Sequence, residues 1–235
     1  MSTNKSNWLA YQQWEDILFL HWPVDPETLR PHVPEELELE TYDGKAWISI
    51  LAYVSTNNKA KRFGRTLTSS LFHQVNVRTY VKYGKENGVY FFSVDADHKA
   101  AVKASRTLAG LPFYQADLKH TEKNEGFRIQ STRTHSGEKE LQFKCSYKPA
   151  GEAFRPEPGS LEHWLTERNQ LLRVKRNKVA KSNIDYKPWK IRPADVKITK
   201  NQLLDFLPVD LTKEDPVVYY GKKKGVYFYD FNKIK

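Results

Sequence analysis

The chain has 235 residues, long enough to bury a sizeable core without staples, and its single cysteine excludes an internal disulfide. It carries 38 basic against 28 acidic side chains, a formal charge of +10, so an anionic partner has to be considered; yet the excess is mostly lysine, spread over Lys59–Arg65, Arg173–Lys181 and Lys222–Lys224, and solvated faces are the expected reading. No apolar run approaches the roughly 18 residues of a membrane-spanning helix, and Met1–Lys5 lacks the apolar core of a signal peptide, so a cytoplasmic protein with no membrane partner is expected.

Trp8, Tyr11, Trp14, Ile17 and Leu18 recur at helical spacing, which predicts an amphipathic helix over 8–20. Asp25-Pro26-Glu27 then reads as a cap, a first-turn proline and a favourable acid, giving one helical turn to Leu29 or Arg30. Leu37–Glu40 alternates as a half-buried strand, Asp43-Gly44 signals a hairpin, and Ala46–Val54 is apolar enough for a central strand. The basic, polar stretch Asn57–Ser70 is expected to be a long loop.

Val75, Val77, Thr79 and Val81 share one face of the next strand, and Gln74, Asn76, Arg78 and Tyr80 share the other. The chain turns at Gly84–Asn87 and returns along Val89–Asp95. Asp97 is placed to cap a helix from His98 to Ala109, ended by Gly110 in the manner of a left-handed cap, with Pro112 just beyond. Strands are predicted over Phe113–Lys119, Phe127–Arg133 and Leu141–Tyr147. After the Pro/Gly loop 151–159, Ser160 caps a helix to about Glu167. A strand over Asn169–Lys175, an edge segment Ile184–Ile198 interrupted by Pro188 and Pro193, one helical turn at Gln202–Phe206 and a hairpin over Val217–Phe231 complete the reading.

One pattern occurs twice. Tyr83-Gly84-Lys85-Glu86-Asn87-Gly88-Val89-Tyr90-Phe91 returns as Tyr220-Gly221-Lys222-Lys223-Lys224-Gly225-Val226-Tyr227-Phe228, which suggests one hairpin type used twice. Strands outnumber helices and no linker divides the chain. The expected fold is therefore a single α+β, β-rich domain spanning 1–235: an antiparallel curved sheet or barrel with a few peripheral helices.

The candidate chemistry is sparse. Arg78, mid-strand beside Asn76 and Tyr80, would hold a carboxylate by two parallel hydrogen bonds if that face lines a concavity; on a flat sheet it would face solvent. Asp95, Asp97 and His98 resemble a metal cluster, but Asp97 has a capping role and no second ligand group stands at metal spacing, so no metal is expected. His21 is either a proton carrier or a packed core histidine. Glu167 and Arg168 end a helix as a surface pair, or turn inward toward a ligand. Cys145 alternates with Leu141 and Phe143 and belongs to the core. Lys99, Lys103 and Arg106 form a solvated helical stripe. Walker, G-x-G-x-x-G, G-x-S-x-G and H-E-x-x-H patterns are all missing from the sequence, as are RNA-recognition and zinc-finger signatures.

Several strings together resemble the uncharacterised YqjF-like family of bacterial proteins. They are Phe19-Leu20-His21-Trp22-Pro23-Val24, Leu29-Arg30-Pro31-His32-Val33-Pro34, Asn76-Val77-Arg78-Thr79-Tyr80-Val81, Gly88–Ser93, Gly110-Leu111-Pro112-Phe113-Tyr114, Gly159-Ser160-Leu161 and Trp164–Arg168, spanning residues 8–190. That family in turn resembles acetoacetate decarboxylase. The resemblance implies a β-barrel or cone with an internal cavity, in which a lysine of lowered pKa attacks a keto acid to form a Schiff base. That lysine follows a Gly-x-Pro turn like Gly110-Leu111-Pro112. Here Phe113 and Tyr114 fill the places of the lysine and its lysine neighbour, and Gln74 falls where the family has a glutamate, so the scaffold is expected without the nucleophile.

The expected function is therefore binding of a small organic molecule, apolar or aromatic and carrying a carboxylate, without a cofactor. Arg78 would anchor it, Asn76, Tyr80, Phe113 and Tyr114 would line the pocket, and Glu167 and Arg168 would add polar contacts. Two alternatives stand beside it. One is a lyase, hydratase or isomerase using Tyr114, Asp95 or His21 in general acid–base steps; the other is a basic, aromatic nucleic-acid binder.

Overall fold

The computed structural model describes residues 7–62, 64–211 and 214–234. Its strands in the first half are β1 (Ala10–Val24), β2 (Glu38–Leu39), β3 (Ala46–Arg62), β4 (Arg65–Ser69), β5 (Phe72–Tyr83), β6 (Glu86–Ala96) and β7 (Phe113–Lys123). Those in the second half are β8 (Gly126–Arg133), β9 (Gln142–Pro149), β10 (Gln170–Lys175), β11 (Lys178–Asp185), β12 (Arg192–Asn201), β13 (Val217–Phe228) and β14 (Asn232–Lys233). Three short helices, α1 (Pro26–Leu29), α2 (Lys99–Ala104) and α3 (Leu161–Thr166), are peripheral.

Nine strands close a barrel in the order β6-β7-β8-β9-β12-β13-β1-β3-β5, with β5 returning to β6. The pairings are antiparallel except β6–β7, which α2 connects. A second closure lies on the other face of the same wall. β10 pairs in parallel with β6 through Leu171 and Val89, and its hairpin partner β11 pairs with β13 through Ile184 and Phe228. Strands β13, β1, β3, β5 and β6 therefore form a wall shared by two lobes.

The lobe closed by β7, β8, β9 and β12 is packed with Leu20, Ile50, Val77, Ile129, Phe143 and Cys145, all buried. The lobe closed by β10 and β11 takes the opposite faces of the shared strands, with Phe19, Leu51, Tyr53 and Tyr80 meeting Leu165, Leu171 and Trp189. The alternation read from β5 decides which residue enters which lobe. Val75 and Val77 join the packed one, while Gln74, Asn76 and Arg78 point into the other.

Several elements differ from expectation. The segment predicted as a helix over 8–20 is strand β1, because Leu18 and Leu20 face one lobe while Ile17 and Phe19 face the other. A strand buried on both faces shows a continuous apolar run rather than alternation. Asp16, with φ 50°, lies within the irregularity between Glu15 and Leu18 in the β1–β3 register. The supposed loop Asn57–Ser70 is instead the end of β3 paired with β4; β4 is exposed throughout, so no hydrophobic alternation marks it. Phe63 lies outside the described residues. His98, not Asp97, caps α2 by accepting from the Ala101 N–H, and Asp97 binds His73 instead. The helix gives way to a π turn at Ser105–Ala109 before the left-handed Gly110. Residues 202–206 form turns without a helix.

The expected edge segment also contains β12, which lies between β9 and β13. Pro193 is tolerated there because it sits at the strand's start and its carbonyl accepts from Ala150. Val217–Phe228 is one continuous strand rather than a hairpin.

Candidate functional site

The lobe behind β10 and β11 holds a cavity of about 170 Å³. Its polar floor is the stripe Gln74, Asn76 and Arg78 on β5. The walls are aromatic. Trp14 of β1 stacks on Tyr53 of β3 with ring centroids 4.2 Å apart, Trp189 lies 6.4 Å from Trp14, and Tyr186 lies 5.5 Å from Trp189. Phe91 and Phe113 add the side nearest α2. Gly88 lets the wall close: a Cβ there would stand 2.4 Å from the Gln170 carbonyl oxygen, where β10 crosses β6.

Arg78 is 7% exposed, and its Nε has no hydrogen-bond partner. No carboxylate pairs with it among the described residues. Its near neighbours are Tyr53, Tyr80, Tyr186 and His21, whose ionisation its charge influences. Burial raises the pKa of all three phenols, which keeps them neutral, and burial together with Arg78 pushes the imidazole well below its ordinary value. The guanidinium is thus a buried cation facing neutral groups, an arrangement that costs free energy unless an anion joins it. Arg168 differs. It is ion-paired with Glu40 at 2.6 Å, donates from Nε to the Trp164 carbonyl, and lies over the Trp164 and Tyr80 rings. Its Nη2 has no partner, and the residue lines the same cavity.

A family model described as "Uncharacterized conserved protein" (DUF2071) matches residues 11–225. The chain belongs to the DUF2071 family. It is 41% identical over 226 residues to the uncharacterized protein YqjF of Bacillus subtilis (strain 168), covering 96% of this chain and 93% of that one. Solved structures share its fold at low identity. An acetoacetate decarboxylase structure has a TM-score of 0.64 at 14% identity, covering 96% of this chain and 89% of that chain. The acetoacetate decarboxylase of Legionella pneumophila has a TM-score of 0.60 at 13% identity, covering 96% and 87%. The enduracididine biosynthesis enzyme MppR, complexed with pyruvate, has a TM-score of 0.61 at 11% identity, covering 96% and 90%. The fold of the DUF2071 chain is thus acetoacetate decarboxylase-like.

The structure brings together Asn76, Arg78, Phe113 and Arg168 around the cavity and leaves the other candidates elsewhere. Tyr114 points away from Phe113, as consecutive strand residues do. Its ring lies under Arg133 at 4.1 Å and beside Arg106 at 5.2 Å, in an outer groove. Asp95 is buried on the packed-lobe side, bound to Arg133 at 2.8 Å; burial raises its pKa to about 6 against the opposing pull of that arginine. Glu167 accepts from the Trp189 N–H at 2.6 Å, which positions a cavity wall without lining it.

Tyr80 and His21 sit behind the cavity in a closed chain. Tyr80 donates to the Leu165 carbonyl, so its contact with Ser49 requires the serine to donate, and His21 Nδ1 then donates to Ser49 at 2.7 Å. The imidazole is a neutral core group, with Nε2 buried and unpartnered. No lysine among the described residues lines the cavity, and Phe113 does line it. Gln74 stands on its polar floor. Among the described residues no group of three or more His, Cys, Asp and Glu could hold a metal ion, and no helix is long and apolar enough to cross a membrane.

Sequence reasoning missed Trp14, Tyr53, Tyr186 and Trp189. Trp14 was hidden by the helical reading of β1. Tyr186 and Trp189 flank Pro188 in a connection with no periodic signal. For Tyr53 the clue was present: it sits two residues from Leu51 in a strand whose two faces serve different lobes.

Proposed function

We propose that this protein binds a small organic carboxylate inside the lobe formed by β10 and β11, with Arg78 as the anion anchor and aromatic side chains as the walls. The observation that carries the reading is the buried Arg78 guanidinium, which has no counter-ion among the described residues and stands at the floor of a cavity. A carboxylate would supply the missing charge and two acceptor oxygens in the planar geometry a guanidinium prefers. Arg168 Nη2 offers a further donor from the same wall. The complex of the structural neighbour MppR with pyruvate supports a small acid as the class of guest. The cavity is below the range of about 300–1,000 Å³ typical of drug-sized pockets, which limits the guest to one ring or a short chain.

Among the described residues no lysine lines this cavity to offer an amine for covalent chemistry, and the expected proton carriers His21, Asp95 and Tyr114 do not line it. A binding role therefore accounts for more of the site than acid–base catalysis does.

The test is thermal denaturation of the full chain with pyruvate, benzoate and the neutral analogue benzamide. The acids should raise Tm and benzamide should not. Arg78→Met should erase the acid-dependent shift. Equal shifts from benzoate and benzamide, or a shift that survives Arg78→Met, would remove Arg78 from the site.

A further inference from the structure

Among the described residues, Arg78 and Arg168 are the charged side chains that line the cavity, and only Arg168 has a charge partner. Both guanidiniums act on Tyr80: Arg168 lies 4.8 Å from its ring, and burial, which raises the pKa of that phenol, is opposed by both cations. Glu40 is what separates the two arginines. It does not line the cavity; it stands behind the wall and accepts from Arg168 Nη1 at 2.6 Å. Its own place is fixed by β5, because its backbone N–H donates to the Tyr80 carbonyl at 3.0 Å. The side chains of the pair are 6% and 16% exposed, so solvent and salt screen it little. Charges further back leave the count unchanged. Lys82 is exposed and paired with Glu38, and Arg173 belongs to the outer groove, where it donates to the Ala109 carbonyl. Glu167 and Lys224 stand behind Trp189 and offset each other. The cavity therefore carries one net positive charge, that of Arg78.

Resting on the carboxylate reading above, we infer that Glu40 sets the charge of the guest: by neutralising Arg168 it makes this a site for acids with a single carboxylate and excludes diacids. One carboxylate cancels the charge of Arg78. A second, confined to the same small cavity, would find the other guanidinium already satisfied and would be repelled by the Glu40 carboxylate behind it. A buried charge without a partner is among the costliest groups a binding site can hold. Arg168 Nη2 stays open to a neutral acceptor, so the exclusion acts on charge rather than on polarity. Specificity of this kind comes from a repulsive element as much as from an attractive one. Glu40 works through Arg168 and is a positioning residue that never touches the guest.

Isothermal titration of the full chain at neutral pH with butyrate, succinate and monomethyl succinate tests the inference. Butyrate should bind at least about tenfold more tightly than succinate. Monomethyl succinate, which keeps the carbon chain but loses one charge, should recover most of that difference. Glu40→Gln keeps an acceptor for Arg168 and removes the charge; it should bring the ratio of butyrate to succinate affinity to about one or below. Glu40→Asp should retain the preference. A purely structural role for Glu40 would weaken both acids alike and leave the ratio unchanged in Glu40→Gln, which overturns the inference. Wild-type protein that binds succinate as tightly as butyrate, or that rejects monomethyl succinate as strongly as succinate, overturns it as well, and these two results need no substituted protein to fold. In each of these cases the carboxylate reading stands. Failure of every acid to bind overturns both.

Discussion

The two lobes of this barrel share a wall and differ in what stands against it. On one side the valines of β5 meet Ile129, Phe143 and Cys145, and the space is filled. On the other side Gln74, Asn76 and Arg78 face a ring of aromatic residues with a cavity between. A strand with two-residue periodicity can thus pack a core with one face and line a cavity with the other. The cost of an uncompensated charge is confined to the second.

Four substitutions or conditions separate these roles. The largest effect should come from the packed lobe: Phe143→Ala, at a fully buried ring, should lower the unfolding free energy by about 3–5 kcal/mol, read by chemical denaturation. A loss below about 1 kcal/mol would mean that this lobe is not the stability core. Next, Gly88→Val should force β10 from β6 and cost about 1–3 kcal/mol, because the added carbon would meet the Gln170 carbonyl; ligand response should be lost with it.

Arg78→Met should act in the opposite direction. Removing an unpaired buried cation should raise the stability of the free protein by about 1–3 kcal/mol while abolishing the response to acids. A destabilised Arg78→Met protein would show that the guanidinium already has a satisfactory partner. The smallest effect concerns pH. Binding of a fully ionised acid should change little from pH 6.5 to 8.5, because burial holds the phenols of Tyr53 and Tyr186 above their ordinary values. His21, held neutral, would charge only well below its usual range. Linkage gives a further sign: as pH falls through about 6.5, unfolded chains take up protons that folded His21 refuses, so this residue makes stability fall with pH. A bell-shaped binding profile near neutrality would point to an acid–base group that the cavity wall does not show.

The repeated nonapeptide shows what the sequence could and could not disclose. Residues 83–91 make a tight turn, with Gly84 at φ 58° and Tyr83 paired to Glu86. The matching residues 220–228 run straight along β1, where Lys223 opposes Glu15 and Lys224 opposes Trp14. The straight copy is held by tertiary partners: Lys224 Nζ donates to the Lys187 and Pro188 carbonyls and lies over the Trp189 ring, and Lys223 pairs with Glu15. Local turn chemistry was legible; the long-range partners that overrode it were not. The barrel class, the two faces of β5 and the Ser160 and Gly110 caps were readable from motif and alternation. Strand β1 was not, because burial on both faces removes the period-two signal. Nor could alternation alone place Tyr114, since which face of β7 meets the cavity depends on how α2 and β10 close the lobe.

On the proposed function, the missing counter-ion would make the fold itself a sensor of supply. An occupant at a hundred times its Kd adds about 2.7 kcal/mol to the folded state by mass action. The resistance of this chain to proteolysis should therefore rise and fall with the concentration of the proposed acid.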